Sequence, residues 1–169
     1  MVPDLVTLSK SISGFGLPMA LVLLRPELDQ WRPAEHNGTF RGNNLAFVTA
    51  AVALEKYWSD DRLTLDVARR ARLVRSVLEP LADLAPGWRV KGRGLMVGLD
   101  VGTTEAAAAV TAGCFQRGLV IETAGPRDQV VKVLAPLTTP DAQLAEGMSI
   151  VAEVVRATAG TAGCGEKAA

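Results

Sequence analysis

Histidine and cysteine are nearly missing from this chain of 169 residues: it has one histidine, His36, and two cysteines, Cys114 and Cys164. No cysteine or histidine stands at metal-ligand spacing from another, so neither a metal site nor a disulfide framework is expected. Cys114 falls in an apolar helical pattern and reads as a small core residue. Charge of one sign is not in excess either, with 18 lysines and arginines against 18 aspartates and glutamates. That balance gives no reason to expect nucleic acid or an anionic membrane as a partner. Long apolar runs are lacking: Leu17 to Leu24 falls well short of the roughly 20 residues that span a bilayer. The start, "MVPDLV", has no positive region leading into an apolar core, so a secretory signal is not expected and a cytoplasmic location is. There is no internal repeat.

What is present is apolar residue in quantity, 49% of the chain, enough for a domain-sized core. Leu5 to Leu8 reads as a short strand, since aliphatic and β-branched side chains suit a pleated buried surface. It stops just before Lys10, and Gly14, Gly16 and Pro18 follow. A second strand is expected over Met19 to Leu24, then a loop from Asp29 to Asn44 that has no periodicity. Asn43 or Asn44 caps a helix to about Trp58. Asp60 or Asp61 caps another, with a stripe from Leu63 to Leu81, ended by Pro86 and Gly87.

Strands are expected over Trp88 to Lys91 and Leu95 to Val101. Thr103 or Thr104 then caps an alanine-rich helix to about Gln116, stopped by Gly118. Leu119 to Thr123 and Gln129 to Leu134 read as two further strands around the turn "AGPRD". "TTPD" opens a last helix to about Ala157, with Pro140 accommodated in its first turn. Residues 159–169 are small, polar and glycine-rich, and disorder is expected there. Residues 1–58, with two strands, a long loop and one helix, do not close a sheet and read as part of a larger domain.

Lysine just past the carboxyl end of a strand occupies the edge where α/β folds usually bind ligands. The stretch "PDLVTLSKSISGFGLPMALVL" resembles the segment of class III aminotransferases that carries the lysine bound to pyridoxal 5′-phosphate. "HNGTFRGNNLA" is similar to the loop of that family with glycine-threonine-phenylalanine followed by glycine-asparagine. "VKGRGLMVGLDV" and "VVKVLAPLTTP" resemble two further segments. All four occur in the family's order, over about residues 2 to 155.

The resemblance implies an α/β chain of pyridoxal-phosphate fold type I, with residues 1–58 in the large cofactor-binding domain and 59–158 forming the small carboxyl-terminal α+β domain. It puts the cofactor-bearing and proton-carrying role on Lys10. It puts Thr39 on the phosphate of a cofactor held by a second subunit, so that a dimer or a dimer of dimers is implied. Lys132 stands where many relatives have an arginine that grips the substrate carboxylate; a lysine offers a point charge in place of a fork, and a solvated strand residue is the alternative reading. His36 is given no role.

The reaction implied moves an amino group from glutamate to aspartate 4-semialdehyde, giving 2,4-diaminobutyrate. Arg41 and Lys132 favour it over an ornithine- or acetylornithine-type donor. Against the family pattern, the sequence begins almost at the cofactor lysine. It has no counterpart of the family's same-subunit phosphate turn, stacked aromatic ring or aspartate on the pyridine nitrogen. The chain by itself is therefore expected to be a poor catalyst, either a fragment of an enzyme or a non-catalytic protein acting through its dimerisation surface.

Overall fold

In the computed structural model, which describes residues 2–165, the chain divides into two units after Leu63. In the first unit, strands β1 (Leu5–Ser9) and β2 (Ala20–Leu24) pair antiparallel, with Leu5 opposite Leu24 and Ser9 opposite Ala20. A 3-10 turn, Lys10–Ser13, links them, and helix α1 (Asn44–Tyr57) closes the unit. The Asn43 carboxamide accepts from the backbone N–H of Ala46 at 3.3 Å, which is why α1 starts where it does. Of α1, only Ala46 and Ala50 are buried; Leu45, Val48, Val52 and Trp58 at its end are all more than half exposed. A helix that is apolar all round ordinarily lies inside a protein. This unit leaves most of that surface uncovered.

The second unit is a four-stranded antiparallel sheet with helices on one face. Helix α2 (Arg62–Ala82) carries Pro80 inside and stops before the expected Pro86. Strands β3 (Arg89–Arg93) and β4 (Met96–Asp100) form a hairpin, followed by helix α3 (Thr104–Gln116), whose cap Thr103 accepts from Ala106 N–H at 3.2 Å. Strands β5 (Glu122–Ala124) and β6 (Val130–Leu134) come next, then helix α4 (Asp141–Gly165). The strand order is β3-β4-β6-β5.

Alternation decides the two faces. Val97, Leu99, Val131 and Val133 join Val74, Leu78 and Leu81 of α2, Val110 and Cys114 of α3, and Met148, Val151 and Val155 of α4 in one buried cluster. Cys114 is thus a core residue, as its helical pattern predicts, and burial pushes its thiol pKa up. Residues that alternate with these, among them Lys91, Asp100, Glu122 and Lys132, stand on the opposite face.

Two expectations shift. The strand expected over Leu119–Thr123 is β5 at Glu122–Ala124, because Leu119 and Ile121 pack against the core instead of pairing with β6. Helix α4 continues to Gly165, past the expected end at Ala157, although Gly160, Gly163 and Gly165 lower the helix propensity of that last stretch. Residues 166–169 of the expected disordered tail lie outside the described residues. Among the described residues no helix is long and apolar enough to cross a membrane.

Candidate functional site

Lys10 follows the last residue of β1 and opens the 3-10 turn with φ of 58°, in the left-handed region. For a side chain with a Cβ that conformation is costly, and it persists where the surroundings impose it, often at functional sites. The other end of the turn is fixed by close contacts. Gly14, also left-handed at φ 76°, caps it and donates its N–H to Ser11 O at 3.0 Å. Ser13 is fully buried.

The turn borders an open cleft of about 1230 Å³. Lys10, Ser11, Gly16, Thr39, Arg41 and Asn43 are among the residues lining it. Lys10 and Thr39, singled out from the sequence, are therefore brought to one cleft. Gly16 leaves its rim open: a Cβ added there would meet nothing within 4 Å.

The segment between β2 and α1 opens with a 3-10 turn, Pro26–Leu28, and is tied internally beyond it. Asn37 Nδ2 donates to Ala34 O at 2.8 Å, Arg32 N–H to the Glu35 carboxylate at 2.8 Å, and Arg41 N–H to Gly38 O at 3.1 Å. His36 stacks on Trp31, with ring centroids 5.0 Å apart. The Arg41 guanidinium donates to the backbone oxygen of His36 and meets its Nε2. His36 and Asn37 are not among the residues lining the cleft; His36 instead holds Arg41, which is. Asn43 serves twice, as the cap of α1 and as cleft wall, and only the first role carries a local sequence signal.

Lys132 belongs to the second unit. Its Nζ donates to the Glu122 carboxylate at 2.6 Å across the β5–β6 rung that pairs the two residues. The Lys132 ammonium holds the Glu122 carboxyl below the ordinary glutamate range. Lys132 is thus neither free nor simply solvated, and nothing in the local sequence marks Glu122 as its partner. On the same sheet face, Asp100 is almost completely buried under Lys91 at 2.6 Å and Arg89 at 3.5 Å, and accepts from Gly102 N–H at 3.0 Å. Among the described residues no group of three or more histidines, cysteines, aspartates or glutamates could hold a metal ion.

Residues 1–155 match the family model described as Aminotransferase class-III. The diaminobutyrate–2-oxoglutarate transaminase of Vibrio parahaemolyticus is 52% identical over 159 residues, covering 93% of this chain and 38% of the relative. That of Halomonas elongata is 52% identical over 153 residues, covering 88% of this chain and 36% of the relative. Among solved structures, the N-acetylornithine aminotransferase of Stenotrophomonas maltophilia superposes with a TM-score of 0.73 at 30% identity, covering 93% of this chain and 40% of that one. The ornithine aminotransferase of Toxoplasma gondii superposes at 0.80 and 25% identity, over 92% of this chain and 37% of that one. The chain thus spans well under half the length of the proteins it matches.

Proposed function

The chain belongs to the class III aminotransferases and has their α/β, fold type I architecture, and we propose that it is part of a diaminobutyrate–2-oxoglutarate transaminase. The reaction would move the amino group of glutamate to aspartate 4-semialdehyde, giving 2,4-diaminobutyrate, the opening step of ectoine synthesis, in the cytoplasm. Residues 1–58 would belong to the large domain and 59–158 to the small one, in an enzyme that works as a dimer or a dimer of dimers. The observation that carries this reading is Lys10, held left-handed at the carboxyl end of β1 on a cleft that Thr39 also lines.

The cleft residues fit pyridoxal 5′-phosphate on its aldehyde and phosphate sides. Lys10 offers an amine for the aldehyde of a cofactor bound beside it, Gly16 leaves the space beside the turn empty, and Thr39 offers a hydroxyl suited to the phosphate of a cofactor in the second subunit. Once bound, the cofactor supplies the electron sink that stabilises charge left on the substrate carbon. Nζ of Lys10 would hold the cofactor and, as a free amine, would carry the proton between the substrate carbon bearing the migrating amine and the cofactor. The 3-10 turn, fixed at Gly14, keeps that amine in one place through the proton transfer. Thr39 would reach the phosphate of the cofactor held by the second subunit, and Lys132 would contact a substrate carboxylate.

Borohydride reduction of the chain after incubation with pyridoxal 5′-phosphate, with peptide mapping by mass spectrometry, tests the assignment. Label should concentrate on Lys10 and disappear in Lys10→Ala. Label spread evenly over Lys56, Lys91 and Lys132, unchanged by the substitution, would overturn it. The substrate assignment is tested separately by joining the chain to the amino-terminal part of the Halomonas elongata relative. Transfer from diaminobutyrate should exceed transfer from ornithine, and the reverse ranking would favour an ornithine-type enzyme.

A further inference from the structure

Gly38 to Arg41 is a tight turn, closed by the Arg41 backbone N–H donating to Gly38 O at 3.1 Å, with Thr39 and Phe40 at its tip. A Cβ on Gly38 would lie 3.0 Å from Cγ and 3.1 Å from Cδ of Arg41, so the arginine stem folds back over the start of its own turn. A side chain at residue 38 would push it away. Thr39 and Arg41 thus reach the cleft wall from one short turn, and the whole arrangement lies within the first unit.

The far end of Arg41 is held as well. Its Nη1 donates to the backbone oxygen of His36, and its Nη2 meets Nε2 of the same residue. A guanidinium only donates, so Nε2 accepts and the ring proton sits on Nδ1. The imidazole is itself fixed by its stack on Trp31, at an interplanar angle of 20°. These contacts use two of the five guanidinium N–H groups. The other three, Nε–H among them, have no protein acceptor among the described residues.

Nε–H and the N–H beside it run parallel, at the spacing that receives two oxygens of one carboxylate or phosphate. The charged residues bordering the cleft among the described residues are Lys10 and Arg41, both cations. A cleft with two positive charges and no carboxylate on its walls favours an anion. Fixing the guanidinium beforehand lowers the ordering cost of capturing one. We propose that Arg41 is an oxyanion-binding residue of the cleft and that His36, backed by Trp31, is its positioning residue. The identity of the oxyanion rests on the transaminase reading, which supplies two sources, the phosphate of the cofactor and the carboxylate of a substrate. The donor arrangement itself does not depend on that reading.

The isotopically labelled chain is titrated with inorganic phosphate and with 2-oxoglutarate at constant ionic strength, with sodium chloride as the blank. Affinity is read from the amide signals of Thr39, Phe40 and Gly42 and from the Nε–H signal of Arg41. At least one of the two anions should move these signals beyond chloride, and the tighter one names the group that Arg41 receives. Arg41→Ala should weaken that binding about tenfold or more. Arg41→Lys, which keeps the charge and loses the fork, should weaken it about threefold. His36→Ala should weaken it about fivefold, whereas His36→Gln, whose Oε1 can accept in place of Nε2, should stay within about twofold of the parent. Amide spectra unchanged outside residues 31–43 establish that each variant is folded. No shift beyond chloride with either anion, an affinity unchanged in Arg41→Ala, or His36→Gln binding no better than His36→Ala overturns the proposal. Reductive trapping of pyridoxal 5′-phosphate at Lys10 is scored on the same preparations. Trapping at Lys10 with anion binding indifferent to Arg41 sinks this proposal alone, whereas label spread over the other lysines sinks the transaminase reading.

Discussion

A Cβ on Gly14 would lie 2.8 Å from the carbonyl oxygen of Thr49 and 2.6 Å from the Cβ of Ala53. The turn that begins at Lys10 therefore rests directly on the backbone of α1, and only glycine permits the approach. Gly14→Ala combines a left-handed φ of 76° with two contacts that must open, and should cost about 2–4 kcal/mol. Gly16→Ala faces a similar φ of 78° but open space, and should cost about 1 kcal/mol. Thermal unfolding of the two variants gives this ranking, and borohydride trapping at Lys10 should be lost in Gly14→Ala and retained in Gly16→Ala. Equal losses would mean that the contact with α1 does not position the lysine.

Thr39 lines the cleft from a loop held by its own hydrogen bonds. A hydroxyl donating to a phosphate oxygen makes a charge-assisted bond worth about 1.5–3 kcal/mol, so Thr39→Ala should weaken cofactor binding by about tenfold or more. Thr39→Ser, which keeps the hydroxyl, should stay within about threefold of the parent. Spectroscopic titration with pyridoxal 5′-phosphate measures both, and an unchanged affinity in Thr39→Ala would remove Thr39 from the site.

Much of this architecture was legible from local rules. Asn43 and Thr103 announce their helices because a cap needs only a side chain and the next turn. Lys10 stands out because it ends an apolar run. Its left-handed backbone does not, since nothing local requires a lysine to adopt it; nor does the approach of Gly14 to Thr49, 35 positions apart in the numbering, which anchors the end of the turn. Leu119, Val120 and Ile121 look like strand by composition, but the β5–β6 register ends at Glu122, and Leu119 and Ile121 pack against the core while Val120 is exposed. The Glu122–Lys132 pair is hidden for the same reason: it exists only once the register is set. That Thr39 lines the same cleft as Lys10 was not legible, because a long aperiodic loop carries no local signal of where its tip goes; family resemblance marked both residues but put Thr39 on a second subunit's cofactor.

Leu78 is completely buried in the cluster that joins α2 to the sheet, whereas Leu65 on the same helix is 67% exposed. Leu78→Ala should destabilise the second unit by about 2–5 kcal/mol, through lost burial and the cavity left behind. Leu65→Ala should change stability by no more than about 0.5 kcal/mol. Denaturant unfolding monitored within the second unit distinguishes them. A small effect at Leu78 would mean that α2 does not pack as described.

Asp100 ties pH to the stability of the sheet. Burial works to raise its pKa, but the hydrogen bond from Lys91, the Gly102 N–H and the Lys91 and Arg89 charges outweigh that and hold the carboxyl below the ordinary aspartate value. A group depressed on folding contributes stability that is complete above the unfolded-state pKa, near 4, and is lost as pH falls through the lower folded value. The thermal midpoint of the second unit should therefore drop as pH is taken below about 4. Asp100→Asn keeps the shape but weakens the Lys91 contact; at neutral pH it should cost about 1–3 kcal/mol. Its midpoint should also fall less steeply in acid, because one proton uptake on unfolding has been removed. Parallel acid profiles for the parent and Asp100→Asn would show that other carboxylates carry the pH dependence.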